Sequence, residues 1–395
     1  MRARFIQTIT VLLLSLHVFG QQRPVDPSAY YTFKQLLDSC AYIGLDKNDY
    51  RYYQLFSGEI SAAPAETWKT TFTDAMFKYI KDVHQGHGIS AEVSYNGIQG
   101  SSNADSLLSK DIYTITSAND LVAILQKWQP KTLAYTVLVN ELRQQLRKGD
   151  SRKIKQLRKA INAERWLTHF GFPKYIVVNV ASIHLNYYVA DSLWLRMKIV
   201  AGKPATPTPR FAAYCNEVIF YPYWHVPKSI ITKELLPACR RNPGVLNYMN
   251  IQVLNARGQV VSPYSIKWSQ LSKNNFPYTL RQSTGCDNAL GVVKFNLTSP
   301  FSVYMHDTNL KSAFKSAERY FSHGCIRIEK PIELASFLLP NRVDSAFLKA
   351  CIKNQQPVIH SIATPVPVFV IYQTAAVNDT NAVSYYRDIY HQLGN

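Results

Sequence analysis

A cysteine and two histidines near the end of the chain have the residue types of a thiol nucleophile and its base. His306 lies 19 positions before Cys325, which belongs to the segment Ser322-His323-Gly324-Cys325-Ile326-Arg327. A thiol attacks a carbonyl as thiolate, so it needs a neighbouring base or cation. Gly324 has no side chain, which leaves room for backbone N–H groups to approach a developing oxyanion. The stretch from Tyr304 to Pro331 is therefore the candidate catalytic segment.

Spacing alone leaves both histidines open as the base. Two neighbouring strands joined by a loop would bring His306 to Cys325. His323 would share a face with Cys325 if both lay on one extended strand, because side chains alternate along a strand. Arg327 would lie on the same face, where its charge could stabilise a thiolate or bind a substrate carboxylate.

Other interpretations of these residues have to be weighed. A single cysteine is commonly a small buried hydrophobe, and a single histidine is commonly structural. His306, His323 and Cys325 could also ligate zinc, but no fourth ligand lies at metal-site spacing. We expect no metal and no cofactor.

Length and charge place the chain among basic globular proteins. Its 395 residues predict two or three domains, and 47% hydrophobic residues indicate a packed core. The formal charge of +18 favours an acidic polymer or an anionic membrane face as partner, or serves general solubility. Nucleic acid is not expected, because the N-terminus predicts export.

Residues 1–20 have the pattern of a secretory signal. Arg2 and Arg4 precede an apolar run, Ile9 to Phe19, and small residues place cleavage before Gln21. A membrane anchor is the alternative, but the run is short for a span of about 20 residues. We expect an exported protein of the periplasm or cell envelope, with no stable membrane span after cleavage.

The elements that must position the candidate segment change character along the chain. From Tyr30 to about Trp166 the periodicity is mostly helical, and residues 131–170 form a basic stretch that predicts a solvated helix face or a docking face for an anionic polymer. After Pro173 the pattern predicts strands, with an irregular insertion at 225–280 that folds over the site. The predicted strands are Tyr175–Val180, Leu193–Val200, Val218–Phe220, Leu290–Phe295, Ser302–His306 and Pro367–Tyr372. The fold class predicted is α+β.

Six cysteines in an exported chain predict disulfides. A nucleophilic Cys325 must stay free, which leaves five and so at least one further unpaired thiol. The sequence leaves the pairing open.

The segment from Ser322 to Arg327 resembles the signature of the L,D-transpeptidases, the YkuD-type catalytic domain, and His306 fits the histidine that precedes it. With arginine at its last position, the segment resembles the version found in the larger, multidomain branch of that family. The resemblance covers about residues 110–391, and the helical first part resembles that branch's scaffold domain more loosely. It implies a helical scaffold domain at 28–165 and a β-rich catalytic domain at 170–391 with a capping insertion at 225–280. Many relatives have a helical peptidoglycan-binding module between these two domains. Residues 130–165 lack its Gly/Asp pattern, so we expect that module to be absent there.

The resemblance also implies roles for individual residues. Cys325 would be the nucleophile and His306 the general base, with its other ring nitrogen held by a carbonyl. His323 and Gly324, with the Cys325 N–H, would shape the oxyanion pocket, and Arg327 would position substrate or support that pocket. Tyr304 and Asn288 would line the cleft and bind substrate.

The activity implied is peptidoglycan L,D-transpeptidation, in which a Cys325 thioester with one stem peptide is attacked by a side-chain amine of another to form a 3→3 cross-link. Peptidoglycan stem peptides would be donor and acceptor, and carbapenem-type inhibitors would acylate the thiol. Water as acceptor would instead give an L,D-carboxypeptidase. A non-catalytic peptidoglycan-binding protein is a further alternative, which the His306 and Cys325 pair disfavours.

Overall fold

A computed structural model describes residues 27–56, 65–98 and 102–394. The predicted signal at 1–20 lies outside the described residues. The chain folds as two structural units. Among the described residues, the first comprises 27–56, 65–89, 102–170 and 377–383, and the second comprises 90–98, 171–376 and 384–394.

The first unit is helical, as the 3.6-residue periodicity predicts. Its apolar faces meet in a core that includes Phe33, Tyr79 and Leu121. The α-helices are Pro27–Ser39, Tyr52–Phe56, Ala65–Gln85, Ser102–Tyr113, Ala118–Trp128, Leu133–Lys148 and Ser151–Thr168, with 3₁₀ turns at Cys40–Ile43 and Lys47–Tyr50. A short helical turn, Ile89–Glu92, begins at Ile89 of this unit, and its other residues belong to the second unit.

A fully buried arginine lies in the middle of this unit. The Arg165 guanidinium donates to the Asn162 side chain, the Tyr135 hydroxyl and the Ile43 carbonyl at 2.9 Å each. Buried polar groups need such partners, so Arg165 ties the last helix to the first part of the unit.

The second unit contains a closed barrel. The strands of the described chain, in chain order, are β1 Tyr95–Asn96, β2 Lys174–Asn179, β3 His184–Val189, β4 Ser192–Gly202, β5 Phe211–Phe220, β6 Trp224–His225, β7 Ile251–Leu254, β8 Val260–Val261, β9 Thr279–Gln282, β10 Val293–Leu297, β11 Met305–His306, β12 Tyr320–Ser322, β13 Ile326–Ile328, β14 Val358–Ile371, β15 Ala375–Val377 and β16 Val383–Tyr385. The pairing order β5-β10-β11-β13-β4-β3-β2-β14 closes because β14 also pairs with β5. Short β1 and β12 pair with β5 and β4, and β15 pairs with β16.

Alternation along the strands separates an apolar interior from a polar exterior. Phe295, Met305 and Ile326 lie on three adjacent strands and are fully buried in the barrel core. Residues one position away point to the other face. The predicted α+β fold, with a β-rich second part, is confirmed.

The chain between β5 and β10 forms a separate small sheet in the order β6-β9-β7-β8. Its core is its own and includes Val226, Leu236, Leu246 and Trp268. Helical segments accompany the sheet at Lys228–Ile230, Ile231–Leu235 (a π-helical turn), Leu236–Arg241 and Val245–Tyr248, with 3₁₀ turns at Pro263–Ser265 and Trp268–Gln270. We call residues 224–282 the capping insertion. Because β5 and β10 are paired neighbours, the insertion leaves and re-enters the barrel at one place.

Two helices and a disulfide complete this unit. The helices are Pro331–Leu338 and Ser345–Lys349, and a 3₁₀ turn spans Lys311–Lys315. A disulfide joins Cys286, just after the capping insertion, to Cys351. Cys40, Cys215 and Cys239 are free and buried, and Cys325 is free and partly exposed. None of the helices in the described part of the chain is long and apolar enough to cross a membrane.

Candidate active site

Three polar side chains form a row across adjacent strands of the barrel. His306 on β11 pairs with Lys294 on β10 and with Arg327 on β13. Directly paired residues project to the same side of a sheet. Since the neighbours Phe295, Met305 and Ile326 fill the interior, this row lies on the outer face.

Asp307 fixes the orientation of the His306 ring. The Nδ1–H of His306 donates to the Asp307 carbonyl oxygen at 2.5 Å, which leaves Nε2 with a free lone pair. The Asp307 carboxylate is itself held by the Val292 N–H at 3.0 Å and by Lys311. This carbonyl is the partner that the resemblance implies for the base, and Asp307 is a positioning residue that the sequence reasoning missed.

His306 is neutral at physiological pH. It is 5% exposed, and burial lowers the pKa of His306 to about 3, with the Arg327 and Lys294 charges acting in the same direction. A neutral imidazole can accept a proton at Nε2. The residue has the tautomer and the charge state of a general base.

Several groups around the Cys325 thiol favour its thiolate, but burial has the larger effect on its pKa. Desolvation raises the pKa of Cys325, while the Tyr304 backbone N–H and hydroxyl and the charges of Lys294 and Arg327 lower it. The Sγ also contacts the Ser302 carbonyl at 3.6 Å. The resting cysteine is therefore a protonated thiol.

Tyr304, which was expected to line the cleft, lies next to the Cys325 thiol. Its ring centroid is 5.5 Å from that of His306, and the Trp224 side chain of the capping insertion interacts with its hydroxyl. Burial, and then the Cys325 charge, raise the pKa of Tyr304. Its hydroxyl stays protonated and can donate to the sulfur.

Gly324 lets the chain turn between β12 and β13. Its φ is +121°, a backbone conformation that residues with a side chain rarely adopt. The turn is held by Ser322, whose hydroxyl donates to the Cys325 carbonyl at 2.6 Å, and by the Thr208 hydroxyl, which donates to the Gly324 carbonyl at 2.9 Å. Gly324 itself is buried, and its N–H donates to the Ser322 hydroxyl at 3.1 Å.

His323 points toward the capping insertion. Its Nε2 lies 2.8 Å from the Glu234 carboxylate, in the π-helical turn of that insertion. The extended strand that would put His323 and Cys325 on one face is not formed, because β12 ends at Ser322. Its assignment to the oxyanion pocket stays a prediction.

Asn288 lies in the loop before β10. It is 1% exposed, and its side-chain amide donates to the carbonyls of Pro222 and Ser283 at 3.2 and 2.9 Å. Its oxygen accepts from the Leu290 N–H at 2.7 Å. The side chain joins the two ends of the capping insertion, and its role in substrate binding stays a prediction that this arrangement does not favour.

Lys294 is a site residue that sequence reasoning missed. Its Nζ lies 4.4 Å from the Tyr304 ring centroid, and burial lowers the pKa of Lys294. The available signal was a single cation within the apolar run Val292-Val293-Lys294-Phe295. Within the described ranges, no group of three or more histidine, cysteine or acidic side chains is placed to hold a metal.

Known proteins match both parts of the chain. Residues 173–368 match the L,D-transpeptidase catalytic domain, YkuD, and residues 24–142 match the scaffold domain. A curated Haemophilus influenzae protein named "Putative L,D-transpeptidase" is 34% identical over 226 residues. That match covers 57% of this chain and 46% of the relative, so the chain spans about half the length of the relative it matches.

Solved structures with low identity are also similar. An L,D-transpeptidase from Mycobacterium smegmatis is 14% identical, with 50% of this chain and 58% of that chain covered and a TM-score of 0.24. The catalytic domain of an E. faecium L,D-transpeptidase acylated by ertapenem is 16% identical, with 50% and 97% covered and a TM-score of 0.24. The assignment rests on the sequence matches.

The barrel that carries the Cys325 segment thus falls in the class of YkuD-type catalytic domains. The chain belongs to the L,D-transpeptidase family, with a YkuD catalytic domain and a scaffold domain. The resemblance of the Ser322–Arg327 segment is confirmed at the level of the family.

The replacement Gly291→Ala tests whether Asp307 positions His306. Gly291 has φ +57°, and a Cβ there would collide with the Asp307 carboxylate. We expect acylation of Cys325 to slow at least about 10-fold, since small displacements of a base cost that much, and we expect a lower melting temperature. Stopped-flow acylation and thermal unfolding measure the two effects.

Gly258→Ala is the matched control. Gly258 has φ +75° with nothing within 4 Å of an added Cβ, so it carries the left-handed strain of about 1–2 kcal/mol without the collision. If Gly291→Ala slows acylation no more than Gly258→Ala does, Asp307 does not position the base.

Proposed function

We propose that this protein is a peptidoglycan L,D-transpeptidase that forms 3→3 cross-links through a thioester on Cys325. The observation that carries the proposal is the pairing of β11 with β13, which sets a neutral, oriented His306 beside the strand that follows Cys325. His306 and Cys325 both lie within residues 173–368, which match the catalytic domain.

The first step acylates Cys325. The thiol transfers its proton to Nε2 of His306 as the sulfur attacks the carbonyl between the third residue and the terminal D-residue of a tetrapeptide. The C–S bond forms, the C–N bond breaks, and the proton passes from His306 to the departing amine. The low pKa of His306 favours this second transfer, because a buried imidazolium beside two cations gives up its proton readily.

The second step transfers the acyl group. A side-chain amine of a second stem peptide attacks the thioester, His306 takes the amine proton, and the sulfur leaves and is reprotonated. The Cys325 N–H, next to the Gly324 turn, is our candidate donor to the oxyanion in both steps. His323 completes this pocket in the proposal only if it moves away from Glu234.

The cellular setting proposed is the envelope. Support comes from the N-terminal signal pattern in the sequence, from the Cys286–Cys351 disulfide, which is typical of oxidising compartments, and from a basic chain that suits stem peptides rich in carboxylates. Carbapenems are proposed as acylating inhibitors.

Intact-mass measurement after incubation with a tetrapeptide donor, and separately with a carbapenem, tests the nucleophile. We expect one acyl adduct on the wild type and none on Cys325→Ala, because that variant lacks the attacking sulfur. Cys239→Ala is the control, since Cys239 is free but buried in the capping insertion. An unmodified wild type, or an adduct that persists in Cys325→Ala, contradicts the proposal.

The capping insertion is proposed as a lid that excludes water and so favours transfer over hydrolysis. It touches the site at Trp224 and at Glu234, whose carboxylate contacts His323. Glu234→Ala should raise the hydrolysis-to-transfer ratio by a factor between about 1.4 and 5, the scale of an exposed pair worth about 0.2–1 kcal/mol.

Product analysis by mass spectrometry with donor and acceptor peptides gives this ratio. Glu333→Ala, at an exposed position on the helix Pro331–Leu338, is the control. A ratio that is the same in Glu234→Ala and the wild type would show that this contact does not hold the lid.

A further inference from the structure

Two cations flank the nucleophile without ion-pair partners. Lys294 and Arg327 are both half-buried, and neither forms an ion pair with a carboxylate of the described residues. Removing charged groups from water without a counter-charge is costly. Two such groups on one face are therefore arranged for an anion that arrives from outside.

The nearby carboxylates are already engaged. Asp307 pairs with Lys311 and accepts from the Val292 N–H. Glu217 accepts from the Asn296 amide at 2.5 Å. The Glu217 charge acts on Lys294 and raises its pKa against the larger effect of burial. Neither carboxylate, however, forms an ion pair with Lys294 or Arg327.

The row fixes both cations relative to the sulfur. Lys294 and Arg327 pair with His306 from opposite sides, and the Lys294 Nζ packs over Tyr304, whose hydroxyl faces Cys325. Arg327 is two residues after Cys325. A carboxylate that bridged the cations would lie beside the reacting sulfur.

We infer that Lys294 and Arg327 form a carboxylate-binding site that recognises the free C-terminal carboxylate of the donor's leaving residue. The inference about the donor rests on the proposed function. It adds Lys294 to the substrate-binding residues and explains why the donor ends one residue after the scissile bond.

Covalent geometry brings the leaving residue's carboxylate to this site. Its carboxyl carbon is three bonds from the scissile carbonyl carbon, and bonds of about 1.3–1.5 Å keep the two carbons within roughly 4 Å. When Cys325 attacks that carbonyl, the carboxylate must therefore lie close to the sulfur. A donor with one more residue would present a neutral amide to the two cations and move its carboxylate about 3.8 Å further along the chain.

Alkylation of Cys325 by two small reagents tests the site without any peptide. Iodoacetate carries a carboxylate next to its reacting carbon, and iodoacetamide carries a neutral amide. The ratio of their rates at Cys325, followed by peptide mass mapping and divided by the same ratio for a small reference thiol, isolates the attraction of the site for a carboxylate.

We expect this normalised ratio to be about 10-fold above one in the wild type, the scale of a hydrogen bond to a charged group. Lys294→Met should bring it close to one, since methionine keeps the packing on Tyr304 but has no charge. Lys315→Met, at an exposed position in the turn Lys311–Lys315, should leave the ratio at the wild-type value. A ratio near one in the wild type, or an equal slowing of both reagents in Lys294→Met, overturns the site.

A pair of peptides tests the leaving-residue assignment. The wild type should acylate with a free-acid tetrapeptide about 10-fold faster than with its C-terminal amide, and Lys294→Met should lose this preference by slowing on the acid. An equal loss on both peptides overturns the assignment. A carboxylate preference in alkylation without acylation by either peptide would refute the proposed function and leave the anion site standing.

Discussion

The register between β10, β11 and β13 is the constraint on which the candidate site depends. It places Lys294, His306 and Arg327 side by side on the outside of the barrel, while Phe295, Met305 and Ile326 fill the interior. A shift of one residue would exchange these two sets. The buried apolar residues therefore specify the position of the polar row. The strand register that fills the core is the same register that sets the geometry of the site.

The same row determines the protonation states. Burial and the two cations hold His306 neutral, and burial keeps Cys325 a thiol in spite of those cations. In the proposed mechanism the site therefore rests as an uncharged pair and becomes charged only as the sulfur attacks a substrate. The capping insertion contributes to this burial, because it leaves the barrel between β5 and β10 and contacts Tyr304 and His323.

The local features of this protein follow from its sequence, and the long-range ones do not. Helical periodicity, strand alternation and the Ser322–Arg327 segment depend on near neighbours, so the helical first unit, several barrel strands and the family were predictable. The strand His184–Val189 was not predicted, and the pairing of His306 with Cys325 stays a prediction. Lys294 was missed because a single lysine in an apolar strand acquires meaning only from its partner strand. The contact of His323 with Glu234, the Cys286–Cys351 disulfide and the closure of β14 onto β5 join segments far apart in the chain. Sequence spacing alone does not predict these long-range contacts.

The rate at which iodoacetamide alkylates Cys325, measured against pH, tests the uncharged pair most directly. Because the pKa of Cys325 is raised and the pKa of His306 is about 3, the wild-type rate should rise steadily through neutral pH and continue to rise above the ordinary thiol pKa of about 8.5. A plateau of high reactivity between about pH 5 and pH 7, as thiolate–imidazolium pairs give, would contradict the account.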